Sequence, residues 1–144
     1  MTAYSPPTDE GLRQLLTTAR TIAVVGHSNK PNRASYQVAQ YLRRVGYQVY
    51  PVNPAVSSID GEPCYASLAE VPEPIDIVNV FRRSEFLPEV TEEAVKAQAK
   101  AVWAQLDIQH LAAVETAAAD GLALVMDKCI KIEHARLGIA TKPK

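Results

Sequence analysis

The chain has 144 residues, 47% of them hydrophobic and 22% charged, with a formal net charge of -1. This is ordinary globular composition, long enough for a real core, and it excludes a disordered or fibrous chain. A balance this close to neutral gives no broad basic surface for nucleic acid or for a membrane face. Residues 1–8, with Pro6 and Pro7, are expected to form a flexible arm. From Asp9 the pattern changes: Leu12, Leu15, Leu16 and Ala19 recur at helical spacing, with Thr8 or Asp9 available as a cap. Residues 21–26 are an apolar run ended by glycine, which reads as a strand buried on both faces. After the polar loop 27–33, Ser35 is expected to cap a helix with Val38, Ala39, Leu42 and Val45 on its apolar face, and Gly46 to stop it. A second strand, 47–52, is closed by Asn53 and Pro54. A turn signal follows at 59–61, and then a helical turn at 67–70 before Pro72 and Pro74. Strand 75–81 precedes a helix over 84–99 with Pro88 near its first turn, where proline is tolerated. Strand 101–106, an alanine-rich helix over 111–119 stopped near Gly121, strand 122–126 and a closing helix over 130–137 complete the order. Residues 141–144 are expected to fray.

Short apolar strands alternating with helices predict an α/β fold. The expected sheet is doubly wound and mainly parallel, with about five or six strands and helices on both faces, in one domain over 9–140. In such sheets the ligand crevice lies outside the carboxyl ends of the strands. The loops that follow the strands are therefore where chemistry is expected.

Loop 26–35 reads GHSNKPNRAS. Gly26 permits a tight turn into the helix, whose first backbone N–H groups can hold a phosphate. Lys30 and Arg33 add positive charge, Ser28 and Ser35 add hydroxyls, and His27 lies between the glycine and the first serine. An anion site is the functional expectation. The loop is not a dinucleotide fingerprint, because Ser28 and Pro31 stand where GxGxxG needs glycine. The acidic residue expected at the end of the second strand is replaced by Asn53. No GK[ST] follows, so a P-loop is excluded. Asn53 and Pro54 offer an amide on a rigid wall. At the end of the third strand Val80 and Phe81 offer an apolar surface, and Arg82 or Arg83 can pair with phosphate. Trp103 is expected in the core, and Gln105 near the end of its strand is a polar contact. Residues 127–134 are dense in titratable groups, which a helix cap and a solvated charged face explain. An enzyme acting through Cys129 or His134 is the alternative, and an NAD-binding redox sensor is a second one.

Cys64 and Cys129 form no CxxC or CxxH pair, and His27 and His110 suggest no metal set. Two isolated cysteines fit a reducing compartment. Residues 1–7 lack the basic and apolar regions of a signal peptide, and no apolar run approaches the ~18 residues of a membrane span. A cytoplasmic location, without a membrane or nucleic-acid partner, is expected.

Five ordered motifs carry a resemblance. They are Val25-Gly26-x-Ser28-x-Lys30-Pro31-x-Arg33-x-Ser35-Tyr36; Gly46-Tyr47-x-Val49-x-Pro51-Val52-Asn53-Pro54; Ile75 through Arg82; Val102-Trp103-x-Gln105; and Met126-Asp127-x-Cys129-Ile130-Lys131-x-Glu133-His134. They resemble the small bacterial CoA-binding proteins, from about Leu12 to Leu137, although Asn79 stands where aspartate is expected. That family's domain is similar to the N-terminal domain of the succinyl-CoA synthetase α subunit. The resemblance implies a Rossmann-like fold with coenzyme A, or an acyl-CoA, across the strand ends. It implies contacts from loop 26–35, from Asn53 and Pro54, and from Val80 through Arg82. The synthetase also needs a second domain with a phosphorylated histidine and a partner subunit. Neither is expected here, so the resemblance implies a small stand-alone binding, carrier or regulatory module without catalytic residues. A homodimer or an unidentified protein partner is left open.

Overall fold

The computed structural model describes residues 3–143, so the first two positions of the expected arm and the last of the expected tail lie outside the described residues. The elements in chain order are α1 (Asp9–Thr18), β1 (Thr21–Val25), α2 (Ala34–Arg44), β2 (Gln48–Val52), β3 (Ser58–Ile59), β4 (Glu62–Pro63), β5 (Ile77–Val80), α3 (Leu87–Lys96), β6 (Ala101–Ala104), α4 (Leu111–Asp120), β7 (Ala123–Val125) and α5 (Ile130–Arg136). Five strands form one parallel sheet in the order β2-β1-β5-β6-β7. This is a Rossmann-like α/β fold, as the alternating pattern predicts. Its strand order reverses between β1 and β5, which is the switch point where such sheets open a crevice.

Alternation along the buried strands sorts the helices. Ile22 and Val24 of β1 join a core with Leu12 and Leu16 of α1, Val38 and Leu42 of α2 and Ile130 of α5. Ala23 and Val25, which point the other way, join Leu87 and Val90 of α3 and Val114 and Ala117 of α4. All five residues of β1 are buried, as the unbroken apolar run requires of a strand covered on both faces. Trp103 is fully buried, and its Nε1 donates to the Lys128 carbonyl at 2.9 Å.

Local chemistry sets several boundaries. The Thr8 hydroxyl accepts from the Gly11 N–H at 3.1 Å and starts α1. Gly46, at φ 100°, ends α2 in a Schellman arrangement, with its N–H on the Arg43 carbonyl and that of Tyr47 on Leu42. Gly121, at φ 69°, ends α4. The turn signal at 59–61 joins a short antiparallel hairpin, β3 to β4, through Asp60 at φ 52° and Gly61 at φ 82°. Two-residue strands are too short to leave a periodic signal.

Three expectations are corrected. Ser35 is not the cap of α2: Arg33 holds that position without a side-chain hydrogen bond, and Ser35 lies inside the first turn. The chain near residue 142 is not frayed. The Lys142 N–H donates to the Val45 carbonyl at 2.8 Å, and its ammonium bonds the Thr17 carbonyl and lies over the Tyr47 ring. The charged face at 127–134 is only partly solvated, because Glu133 and His134 are buried. At the other terminus Tyr4 packs against the core and its hydroxyl accepts from the Met126 N–H at 2.9 Å.

Candidate functional site

The carboxyl ends of β1 and β5 meet at Gly26. Its N–H donates to the Val52 carbonyl at 2.8 Å, and the Phe81 N–H donates to Val25 at 2.9 Å. A Cβ on Gly26 would stand 3.1 Å from the Phe81 carbonyl oxygen, and its φ of 88° is left-handed. Only glycine combines that backbone with that approach. Beyond it opens a cleft of about 350 Å³ lined by Gly26, Ser28, Lys30, Arg33, Ala34, Ser35 and Phe81. Among the described residues no carboxylate lines it.

The loop's internal bonds leave its donors free. The Ser35 Oγ accepts from the Ser28 N–H at 2.9 Å, and the Ser28 Oγ accepts from the Lys30 N–H at 3.0 Å. Each hydroxyl is held in place as an acceptor and keeps its own proton to donate. Because no side chain caps α2, its first N–H groups are also available beside these hydroxyls. Lys30 and Arg33 are exposed. Hydroxyl donors, a free helix start and two cations without a carboxylate are the groups that binding a phosphate-type anion requires.

His27 supports this loop from beneath. Its side chain is fully buried. Arg43 Nη1 lies 3.3 Å from Nε2, and since a guanidinium only donates, Nε2 accepts and Nδ1–H donates to the Ser28 carbonyl at 2.8 Å. Burial pushes the imidazole down to about 4, and the Arg43 charge acts in the same direction against the pull of the Ser28 carbonyl. The positive charge at the cleft therefore comes from Lys30 and Arg33. Tyr36 meets the His27 ring edge-on at 6.0 Å and donates to Asp60 of the hairpin turn at 2.6 Å.

The other residues named from the sequence are distributed along the same edge. Asn53 Nδ2 donates to the His27 carbonyl at 3.0 Å, while its Oδ1 accepts from the Ala55 N–H at 2.9 Å. Pro54 is exposed beside it. Val80 is fully buried in the core. The Arg82 guanidinium lies 4.2 Å from the centre of the Phe86 ring, a cation–π contact outside the cleft lining. Gln105 is buried at the end of β6, next to Asn79. Sequence reasoning did not find Arg43, Tyr36 or Asn79 as supports. Arg43 lies 16 positions beyond His27, and only the fold brings it onto the imidazole.

A wider groove of about 770 Å³ runs along the open edge of β2, lined by residues such as Arg43, Tyr50, Asp60 and Lys142. It mixes cations with carboxylates and lies away from the switch point. The smaller cleft is the better functional candidate, because it has the one-sided charge and free donors a ligand site requires. Among the described residues no helix is long and apolar enough to cross a membrane.

Known proteins resemble this chain over most of its length. An uncharacterized protein of Bacillus subtilis, YneT, is 40% identical over 129 residues, covering 90% of this chain and 96% of its own length. A solved structure of a hypothetical protein from Pyrococcus horikoshii superposes with a TM-score of 0.88 at 38% identity, covering 95% of this chain and 99% of that one. An ADP-forming acetate–CoA ligase of Archaeoglobus fulgidus is 31% identical over 74 residues, which span 51% of this chain and only 11% of the ligase. The model of the CoA binding domain family matches residues 20–135, which include every residue lining the cleft between β1, α2 and β5, and the chain belongs to that family.

Proposed function

We propose that this protein binds coenzyme A or an acyl-CoA, as a binding, carrier or regulatory module without ligase chemistry of its own. The phosphates would sit on Ser28, Ser35, Lys30, Arg33 and the start of α2. The observation that carries this reading is the one-sided cleft at the switch point, in which every hydroxyl is pre-set by an internal bond and still free to donate. Coenzyme A suits it better than NAD does. The residue that would chelate an unmodified ribose is Asn53, whose amide is already spent on the His27 carbonyl, whereas a phosphorylated ribose gains from Lys30, Arg33 or Arg82. Pro54 and Phe81 would wall the adenine or the arm of the ligand, with the buried Val80 serving only as the support beneath Phe81, and Gln105 would meet its polar part. The ligase that resembles half of this chain is far longer, and its activity is not carried over. Two unpaired cysteines suit a cytoplasmic protein.

Calorimetry with CoA, acetyl-CoA, NAD and ATP tests the reading. CoA or acetyl-CoA should bind more tightly than NAD and ATP. Equal or tighter NAD binding would remove the proposal.

A further inference from the structure

The carboxyl edge of the sheet extends beyond the phosphate cleft. Phe81 lines that cleft at the end of β5, and the backbone N–H of Gln105 donates to the Val80 carbonyl at 3.3 Å. Gln105 therefore stands one strand beyond Phe81 on the same edge. Strands lie about 4.8 Å apart, which puts it about 10 Å from the end of β1.

The orientation of the Gln105 amide is fixed by its neighbours. The Ile130 backbone N–H, which can only donate, lies 3.1 Å from one terminal atom of Gln105. Asn79 Nδ2 lies 2.9 Å from that same atom and also donates to the Trp103 carbonyl at 3.2 Å. The shared atom must be the acceptor Oε1. The amino group Nε2 has no partner among the described residues, yet it is not one of the buried polar atoms sealed from solvent. A buried framework thus fixes Gln105, itself only 6% exposed, with a free N–H donor that keeps contact with solvent at the strand edge, next to Leu106, which is 53% exposed.

We infer that Gln105 Nε2 donates to a carbonyl oxygen on the pantetheine side of the bound ligand, with Asn79 as the positioning residue. The arm leaves the phosphates, passes Phe81 and crosses the end of β6. This rests on the CoA reading above. The arm carries amide carbonyls, and an acyl-CoA adds a thioester carbonyl; both offer the same acceptor chemistry.

Gln105→Glu keeps an oxygen for Ile130 and Asn79 and replaces the outward N–H donor with a carboxylate oxygen, which also brings a negative charge to the arm side of the edge. Parent and variant are titrated with CoA, with acetyl-CoA and with adenosine 3′,5′-bisphosphate, which has phosphates and no arm. The variant should bind CoA about tenfold more weakly, the loss expected from one hydrogen bond, and the bisphosphate like the parent. A larger loss for acetyl-CoA than for CoA assigns the thioester carbonyl, and equal losses assign a pantetheine amide. Asn79→Ala should show the same arm-selective loss; a loss shared by the bisphosphate would make Asn79 merely structural and end its positioning role. Unchanged CoA binding by Gln105→Glu, or equal weakening of all three ligands, overturns the inference while leaving the CoA reading in place. A parent that binds none of the three removes both. If the variants fail to fold, the side-chain amide resonances of Gln105 in the parent decide. They should shift with CoA and not with the bisphosphate, and an unmoved pair overturns the inference.

Discussion

Loop 26–35 and segment 127–134 both follow parallel strands at the same edge of the sheet, and they invert the impression their sequences make. The second is richer in titratable groups: Asp127, Lys128, Cys129, Lys131, Glu133 and His134 fall within eight positions. Yet its groups are mostly engaged inside the protein. Asp127 accepts from the Asp107 N–H at 2.6 Å, and Glu133 bonds Arg136 at 2.8 Å. His134 is buried with Nδ1 2.7 Å from the Tyr41 hydroxyl. Loop 26–35 has fewer ionisable groups, but its hydroxyl protons, its first helical N–H groups and its two cations face an open cleft. What makes a site is the supply of unspent donors, and the density of reactive residue types is a poor guide to it.

Acid should break the comparison first and most strongly. His27 holds the first loop only in its neutral form. Its folded pKa is about 4 against 6.5 for a free imidazole, so the unfolded chain takes up the proton first. The stability that neutral His27 contributes is complete above pH 6.5 and is lost as pH falls toward about 4. The loss over that window is about 3 kcal/mol. Burial lowers His134 in the same direction, so both regions weaken in acid. Denaturant melts at pH 7 and pH 4.5 should show the parent losing more stability than His27→Gln, which has no proton to take up. Equal losses would mean that His27 is not the group that titrates.

Charge removal sharpens the contrast next. Lys30→Ala and Arg33→Ala should each weaken CoA binding by about 1.5–3 kcal/mol, the usual worth of a charge-assisted bond to phosphate. Melting temperatures should hardly move, since both side chains are exposed. Lys128→Ala and Lys131→Ala remove charge of the same sign in the other region and should change CoA affinity by no more than about twofold. Comparable losses from both pairs, measured by calorimetry, would show that the ligand spans segment 127–134 as well.

Much of the frame was legible because it rests on local chemistry. The run at 21–25, Thr8 at the start of α1, and Gly46 and Gly121 at helix ends each act through residues a few positions away. Within the site, Gly26, Ser28, Lys30, Arg33, Ser35 and Phe81 were all named from loop position and do share one cleft. What could not be read depends on partners distant in the chain. Ser35 looks like a cap until Ser28 is folded onto it. Lys142 looks like a loose tail until the Val45 carbonyl is within reach. Gln105 announces only polarity. The direction of its amide is set by Asn79 and Ile130, some 26 and 25 positions away. The Asn79 Oδ1, buried without a donor, is invisible in the same way.

The smallest effect is expected at Cys129, where the enzyme alternative would have to show itself. A thiol reacts as its thiolate, which needs exposure and nearby positive charge. Cys129 has lysines close in sequence, but it is only 9% exposed and packs in the apolar cluster with Ile130 and Leu137. Trp103, by donating to the Lys128 carbonyl, ties the turn just before Cys129 to the core. Cys64 is no better placed: burial pushes its thiol up, and its Sγ lies 3.7 Å from the Asn53 carbonyl oxygen. Cys129→Ser should therefore leave CoA affinity within about twofold, as a change remote from the ligand does. The parent, incubated with acetyl-CoA or with oxidised CoA and weighed intact, should gain no mass. An acyl or CoA adduct that forms on the parent and vanishes in Cys129→Ser would place the thiol in the ligand groove and replace the binding-only reading with a thiol enzyme or sensor.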